Sequence, residues 1–262
     1  MLQDVAITPV IPASRLTARA NGSPRLVSEH RPGVACTSCC LRGVCLPSSL
    51  GGRDLERFDA IVAQKRKVAR GAAIYRNSDV FEALYAVRGG AFKSVGISRQ
   101  GDEKITGFYL PGEMLGLDSI GPGRHPYDAI ALEDSEVCVI PYAQLEQMAA
   151  STPGLQRQLF RALSSDISRD QGLMLLLGSM SAEQRLAAFL LSLSRRYQRL
   201  GFAASCFVLR MTREEIGNYL GVTLETVSRL MSRFQRAGLI AVQQRDIELN
   251  DVDGLMELVG HW

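Results

Sequence analysis

Residues 211–240, MTREEIGNYLGVTLETVSRLMSRFQRAGLI, leave the chain few folds to choose from. Thr212 followed three positions later by Glu215 has the form of a capping box, in which hydroxyl and carboxylate satisfy each other's backbone N–H. Ile216, Tyr219 and Leu220 give the helix that follows an apolar face. Gly221 ends it, because glycine takes the left-handed conformation of a tight turn at little cost. Thr223 caps a second helix two residues on, with Val227, Leu230, Met231 and Phe234 as its buried stripe. Two helices joined by so short a turn form a helix-turn-helix.

The polar side of that second helix reads as a DNA-reading head. Glu225, Ser228 and Arg229 stand at i, i+3 and i+4 and so share one face. They fall in the first turns, where a recognition helix meets base edges. Arg229 can give two hydrogen bonds to a guanine, and Glu225 can accept from a cytosine amino group. Arg213 and Arg233 are better placed for phosphates, and Thr223 at the helix start completes the candidate DNA-binding set. The net charge is only +3, yet residues 184–240 hold nine arginines against three acids. Such a local excess of positive charge suits a polyanion.

Upstream the pattern changes. Residues 1–50 read as an N-terminal arm ending in a cysteine cluster, and 51–66 as a short helix. From 51 to 150 a β-roll domain is expected. Its glycine-punctuated β-rich runs (ALYAV, AFKSVGI, KITGFYL, DAIAL and SEVCVI) argue for an all-β roll, with RQGDE as a hairpin turn. Residues 151–180 read as one long helix entered through Thr152-Pro153. The unit 181–262 adds a helix from Ser181, the helix-turn-helix, a small hairpin and a closing helix. Phe160, Leu163, Ile167, Asp170, Met174 and Leu177 are spaced 3, 4, 3, 4, 3 in the long helix, the seam of a homodimer. Asp170 is its one charged member. In a parallel pair two such carboxylates approach, which disfavours the dimer until something else tips it.

No apolar run approaches the roughly 18 residues of a membrane span. The N-terminal AITPVIP stretch is broken by prolines and preceded by Asp4, unlike a signal peptide. The chain is expected in the cytoplasm, where thiols stay reduced, so its six cysteines read as metal or redox groups rather than disulfides. Cys36, Cys39 and Cys45 form C-x2-C-x5-C. Soft thiolates at this density suit iron–sulfur or zinc. The second close pair of a structural zinc site is missing nearby. A distant fourth ligand is therefore needed, with Cys138, Cys206 and His30 as candidates. Spacing does not choose among them. Cys40 adjoins the cluster, Cys206 reads as a small core residue, and His30, His125 and His261 as structural.

RLAAFLLSLSRRY, MTREEIGNYLG and TLETVSRLMSRFQ resemble the winged-helix domain of the Crp/Fnr superfamily of transcription regulators. The likeness runs from about Cys36 to about Gly260 and is strongest to the oxygen-sensing FNR branch. It implies an α+β architecture: a cyclic-nucleotide-binding-like jelly-roll sensor, a dimerisation helix and a winged helix-turn-helix. It implies a 4Fe–4S cluster on Cys36, Cys39, Cys45 and Cys138, since SEVCVIP matches the place of the fourth ligand. Oxygen would convert that cluster to a 2Fe–2S form and then remove it. It implies a homodimer reading TTGAT-type palindromes in double-stranded DNA through the residues at 225, 228 and 229, with Asp170 as the brake on dimerisation. Gln100, Gly101 and Asp102 resemble a surface that contacts RNA polymerase, and the loop at 199–205 is a second candidate. Cyclic-nucleotide members carry a Gly-Glu pair and, ten residues on, an Arg for the phosphate. Here Leu117 and Tyr127 stand at the Glu and Arg positions, so no cyclic nucleotide is expected. The alternatives are a zinc-stabilised or redox-thiol regulator without gas sensing, or an iron–sulfur redox protein. No enzymatic activity is expected.

Overall fold

The computed structural model describes residues 35–62, 64–98 and 100–260; His30 and His261 lie outside them. Two short 3-10 turns, Cys36–Ser38 and Leu46–Ser49, lead into helix α1 (Gly52–Ile61). Strands β1 (Gln64–Val68), β2 (Ala73–Tyr75), β3 (Ala83–Gly89), β4 (Phe92–Ile97), β5 (Glu103–Tyr109), β6 (Met114–Leu115), β7 (Asp128–Ala131) and β8 (Ser135–Pro141) follow. They form two four-stranded sheets, ordered β1-β8-β3-β6 and β2-β7-β4-β5. Val87, Leu115 and Val137 from the first sheet bury against Ile74, Phe92 and Ala129 from the second, closing the expected β-roll.

The β-rich runs all form strands; of the expected RQGDE turn Arg99 lies outside the described residues, and the Ser98 N–H donates to the Asp102 carbonyl at 2.9 Å across it, with Gly101 at φ +92°. The helix expected over 51–66 is shorter. It stops at Ile61, and 64–68 instead pair with β8 in antiparallel register, Lys65 opposite Cys138. The reason is non-local. QKRKV is an edge strand, where charged residues protect an open edge, and only its pairing with β8 distinguishes it from helix.

Helix α2 (Tyr142–Ser151) precedes the long helix α3 (Pro153–Ser179), which starts on proline as expected. Helix α4 (Ala182–Arg199) opens on a capping box between Ser181 and Gln184. Strand β9 (Cys206–Val208), helices α5 (Arg213–Leu220) and α6 (Leu224–Arg236), the hairpin β10 (Ile240–Gln243) and β11 (Asp246–Leu249), and α7 (Val252–Val259) complete the chain. The sheet β10-β11-β9 forms the wing. Its core continues without a break into the β-roll: Ile105, Phe108 and Leu110 bury with Phe189, Leu190, Ile216 and Leu220. Among the described residues, no helix is long and apolar enough to cross a membrane.

Candidate functional site

The DNA-reading unit follows from local chemistry. Thr212 accepts from the Glu215 N–H at 3.1 Å, while Glu215 Oε2 accepts from the Thr212 N–H at 2.7 Å. Gly221 sits at φ +67°, the left-handed stop. A Cβ on Gly217 would lie 2.7 Å from the Val222 carbonyl, so only glycine lets the two helices approach this closely. Thr223 Oγ1 accepts from the Thr226 N–H at 3.2 Å and starts α6. Val227, Met231 and Phe234 are fully buried, and Leu230 packs at the margin.

Glu225 and Arg229 are exposed on the opposite face, with Ser228 half-buried between them. The Glu225 carboxyl is held below the usual carboxylate range, first by a hydrogen bond from its own backbone N–H and then by the Thr223 hydroxyl. It is therefore an ionised acceptor at neutral pH. Arg229 Nη2 donates to Thr226 Oγ1 at 3.3 Å, and Arg213 Nη1 donates to Ser228 Oγ at 3.3 Å. Arg233 is exposed and pairs with Glu183 at 3.1 Å. Arg213 thus links the two helices, a role that spacing did not suggest.

Four cysteines gather elsewhere. Cys36, Cys39 and Cys45 come from the arm and Cys138 from β8. Together they line one cavity of about 30 Å³ with Leu41, Phe58, Val62, Ile140 and Arg88. Burial pushes the Cys45 thiol up to about 12, Cys138 and Cys39 adding to the effect. Burial and the Asp59 carboxylate push Cys36 up as well. Cys138 is raised by burial and pulled back by the Arg88 guanidinium, which is itself ion-paired with Glu136 at 3.0 Å. Cys40 is exposed and Cys206 is half-buried in the wing; neither lines this cavity. Among the described residues, no three Cys, His, Asp or Glu side chains converge closely enough to hold a single metal ion. What the four cysteines share is the lining of one small cavity. Each iron of a cluster takes a thiolate, so the chemistry of an all-cysteine donor set is that of an iron–sulfur site.

His125 is buried, shares a 2.7 Å hydrogen bond with the Ser119 hydroxyl and stacks on Tyr75 at 3.6 Å, a structural role. Leu117 is buried in the core beneath the arm, and Arg124 donates to the Ser78 carbonyl at 2.7 Å. Gln100, Gly101 and Asp102 are all exposed at the β4–β5 turn.

On α3, Phe160, Ile167 and Met174 are 60%, 57% and 67% exposed at seven-residue intervals. Leu163 and Leu177 are half-buried, Leu163 against the core under the arm. Asp170 is exposed in the same stripe; desolvation raises its carboxyl pKa against the pull of Arg169. Two connections were invisible to periodicity. Glu113 accepts from Arg196 at 2.8 and 2.5 Å, joining the β5–β6 turn to α4. Arg185 donates to the carbonyls of Leu177 (2.8 Å), Met180 (2.9 Å) and Leu220 (3.1 Å), tying the end of α3 to the end of α5.

Comparison with known proteins agrees with this architecture. Residues 65–152 match the cyclic nucleotide-binding domain, and residues 184–258 the Crp-like helix-turn-helix domain. The chain is 48% identical over 225 residues to the transcriptional regulatory protein btr of Bordetella pertussis, covering 86% of this chain and 93% of that one. It is 43% identical over 237 residues to the fumarate and nitrate reduction regulatory protein of Escherichia coli, covering 90% and 95%. The structure of FixK2 from Bradyrhizobium japonicum superposes with a TM-score of 0.70 at 31% identity, over 76% of this chain and 98% of that one. With both domains matched and regulators this similar along nearly its whole length, the chain belongs to the Crp/Fnr family of transcription regulators, which are DNA-binding proteins and not enzymes.

Proposed function

We propose that this chain is an anaerobic transcription regulator that senses oxygen through a 4Fe–4S cluster held by Cys36, Cys39, Cys45 and Cys138. The cluster-loaded homodimer binds TTGAT-type palindromes and releases them when oxygen destroys the cluster. The observation that carries this reading is the meeting of Cys138 with the three arm cysteines around one largely apolar cavity. Four soft thiolates are a cluster's donor set, and Arg88 brings positive charge beside Cys138. When bound, the cluster supplies the oxygen-labile chemistry. A Haemophilus influenzae relative, 43% identical over 238 residues, is named an anaerobic regulatory protein, which supports the anaerobic setting.

The chain's own residues couple that site to the dimer. Cys45 runs directly into Leu46–Ser49, and Leu46 and Leu50 bury with Leu155 and Leu159 at the start of α3. Holding Cys45 therefore holds the arm against the dimerisation helix. Phe160, Ile167 and Met174 present the apolar stripe that a second copy covers, flanked by Leu163 and Leu177. Asp170 opposes closure, because two carboxylates brought together in a partly desolvated seam repel. A few kcal/mol from the ordered arm suffice to tip such an equilibrium.

In the dimer, Glu225, Ser228 and Arg229 read base edges, and Arg213, Arg233 and Thr223 contact the backbone. Gln100, Gly101 and Asp102 meet RNA polymerase. A cyclic nucleotide is not the signal: Leu117 is buried and Tyr127 stands where the phosphate would need a cation. The chain works in the cytoplasm. The test is anaerobic purification, iron and sulfide analysis, and binding to a TTGAT palindrome by one sample before and after air. Equal iron and sulfide with air-sensitive binding is expected. Unchanged affinity in air would overturn the oxygen-sensing reading, and stoichiometric zinc the cluster.

A further inference from the structure

Strand β5 lies at the edge of its sheet, so its outward N–H and C=O groups need partners from outside the β-roll. One side chain of the DNA-reading unit supplies both. Asn218, on α5, accepts from the Ile105 N–H through Oδ1 at 2.7 Å and donates through Nδ2 to the Glu103 carbonyl at 2.9 Å. A single amide thus does for this edge what a residue of a neighbouring strand would do. The Asn218 backbone carbonyl in turn accepts from Lys104 Nζ. One turn earlier on α5, Glu215 Oε1 accepts from Lys93 on β4 at 2.8 Å, while its other oxygen closes the capping box. Beside them Tyr219 packs on Phe108 of β5 and Phe189 of α4, with ring centroids 5.1 and 5.8 Å away.

These contacts join the β4–β5 hairpin of the sensor to the first helix of the helix-turn-helix of the same chain. A dimer reading a palindrome must keep its two recognition helices about one helical turn of DNA apart, roughly 34 Å. That separation is held only if each reader is fixed to its own scaffold. The apolar contacts between the domains hold them together but are non-directional. The paired amide is directional and sets rotation.

We propose that Asn218 is a positioning residue for DNA recognition: by completing the edge of β5, with Lys93–Glu215 as a second point, it fixes the orientation of the reader relative to the sensor. Asn218 acts through α6 and touches no base. Two readers held at a fixed spacing bind a palindrome far more tightly than one half-site, and that gain disappears when the geometry is not held.

The experiment uses the full-length protein purified without oxygen. It compares wild type, Asn218→Ala and Lys93→Gln on three duplexes: a TTGAT palindrome, a single half-site, and the palindrome with its spacer lengthened by one base pair. Wild-type binding to the first duplex is the control that separates this inference from the sequence preference proposed above. If wild type prefers another palindrome, selected from randomised DNA, the same comparison is made on that one. Asn218→Ala is expected to weaken palindrome binding about tenfold while changing half-site binding less than about twofold, and to narrow the preference for the native spacer. Lys93→Gln is expected to act in the same direction and more weakly. Sedimentation and circular dichroism check that both variants remain folded and dimerise like wild type. Equal losses on palindrome and half-site would overturn the proposal, as would unchanged binding to all three duplexes. Tighter binding by either variant would also overturn it, since the contact would then restrain the reader instead of positioning it. Should Asn218→Ala fail to fold, Lys93→Gln decides by the same criteria.

Discussion

Ser49 and Gly154, 105 residues apart in sequence, are joined by a hydrogen bond from the Ser49 hydroxyl to the Gly154 carbonyl, 3.1 Å long. It seats the end of the cysteine arm on the first turn of α3. Leu50, 4% exposed, and Leu155, fully buried, pack in the same core. The segment that carries Cys45 and the helix that carries the proposed dimer seam are therefore in direct contact.

Leu50→Ala is expected to lower stability by about 2–5 kcal/mol through the cavity it leaves. It should also weaken the dimer more than it lowers iron content. Denaturant unfolding, iron analysis and sedimentation on one preparation measure the three effects. Iron and dimerisation falling in parallel would argue that Leu50 serves only the metal site.

Cysteine exchange separates ligands from bystanders. Replacing Cys36, Cys39, Cys45 or Cys138 with serine should abolish bound iron and sulfide, whereas Cys40→Ser and Cys206→Ser should leave both near wild type. Neither Cys40 nor Cys206 lines the cavity. Loss of the visible absorbance in Cys40→Ser would move the ligand set by one residue.

Asp170→Ala removes the one charge from the seam. Cluster-free Asp170→Ala should sediment largely as a dimer at concentrations where cluster-free wild type is monomeric. A variant as monomeric as wild type would show that this carboxylate is not the brake.

On DNA, Arg229→Ala should cost about 1–3 kcal/mol and relax the preference at one base pair. Arg233→Ala should weaken all sequences alike and reduce the salt slope by about one. Its exposed pairing with Glu183 contributes little to stability. Binding isotherms on single-substituted half-sites at several salt concentrations distinguish the two roles.

Glu113 ties the β-roll to α4. Burial pushes its carboxyl up, but Arg196, with Arg169 beside it, outweighs that and holds it below the ordinary carboxylate range. A carboxylate lowered on folding stabilises fully above its ordinary value and loses that contribution as pH falls through the lowered one. The wild type should lose stability on acidification over that interval, and Glu113→Gln should show a flatter profile. At neutral pH the variant should be less stable by about 3 kcal/mol, because the buried Arg196 loses its opposite charge while keeping its hydrogen bond to the Phe108 carbonyl. Thermal unfolding against pH reads both.

The helix-turn-helix was legible in the sequence because its determinants are local. Thr212 meets Glu215 within one turn, Gly221 needs only its own φ, and Val227, Met231 and Phe234 follow the helical repeat. The β-rich runs and the entry of α3 at Pro153 were legible for the same reason. Residues 64–66 were not. QKRKV carries no period of its own, and pairing with β8 alone makes it a strand.

By itself, then, the sequence determined the reading unit, the heptad stripe with Asp170 in it, and a C-x2-C-x5-C cysteine triplet. Tertiary structure decided what those parts meet. It brought Cys138 to the triplet, seated Ser49 on Gly154, set Arg196 on Glu113 and turned Asn218 to the edge of β5. Each of these joins residues tens of positions apart or more. Capping and helical periodicity act within a turn or two of helix, so they cannot encode such contacts; the closing of the β-roll and the docking of α4 and α5 against it create them.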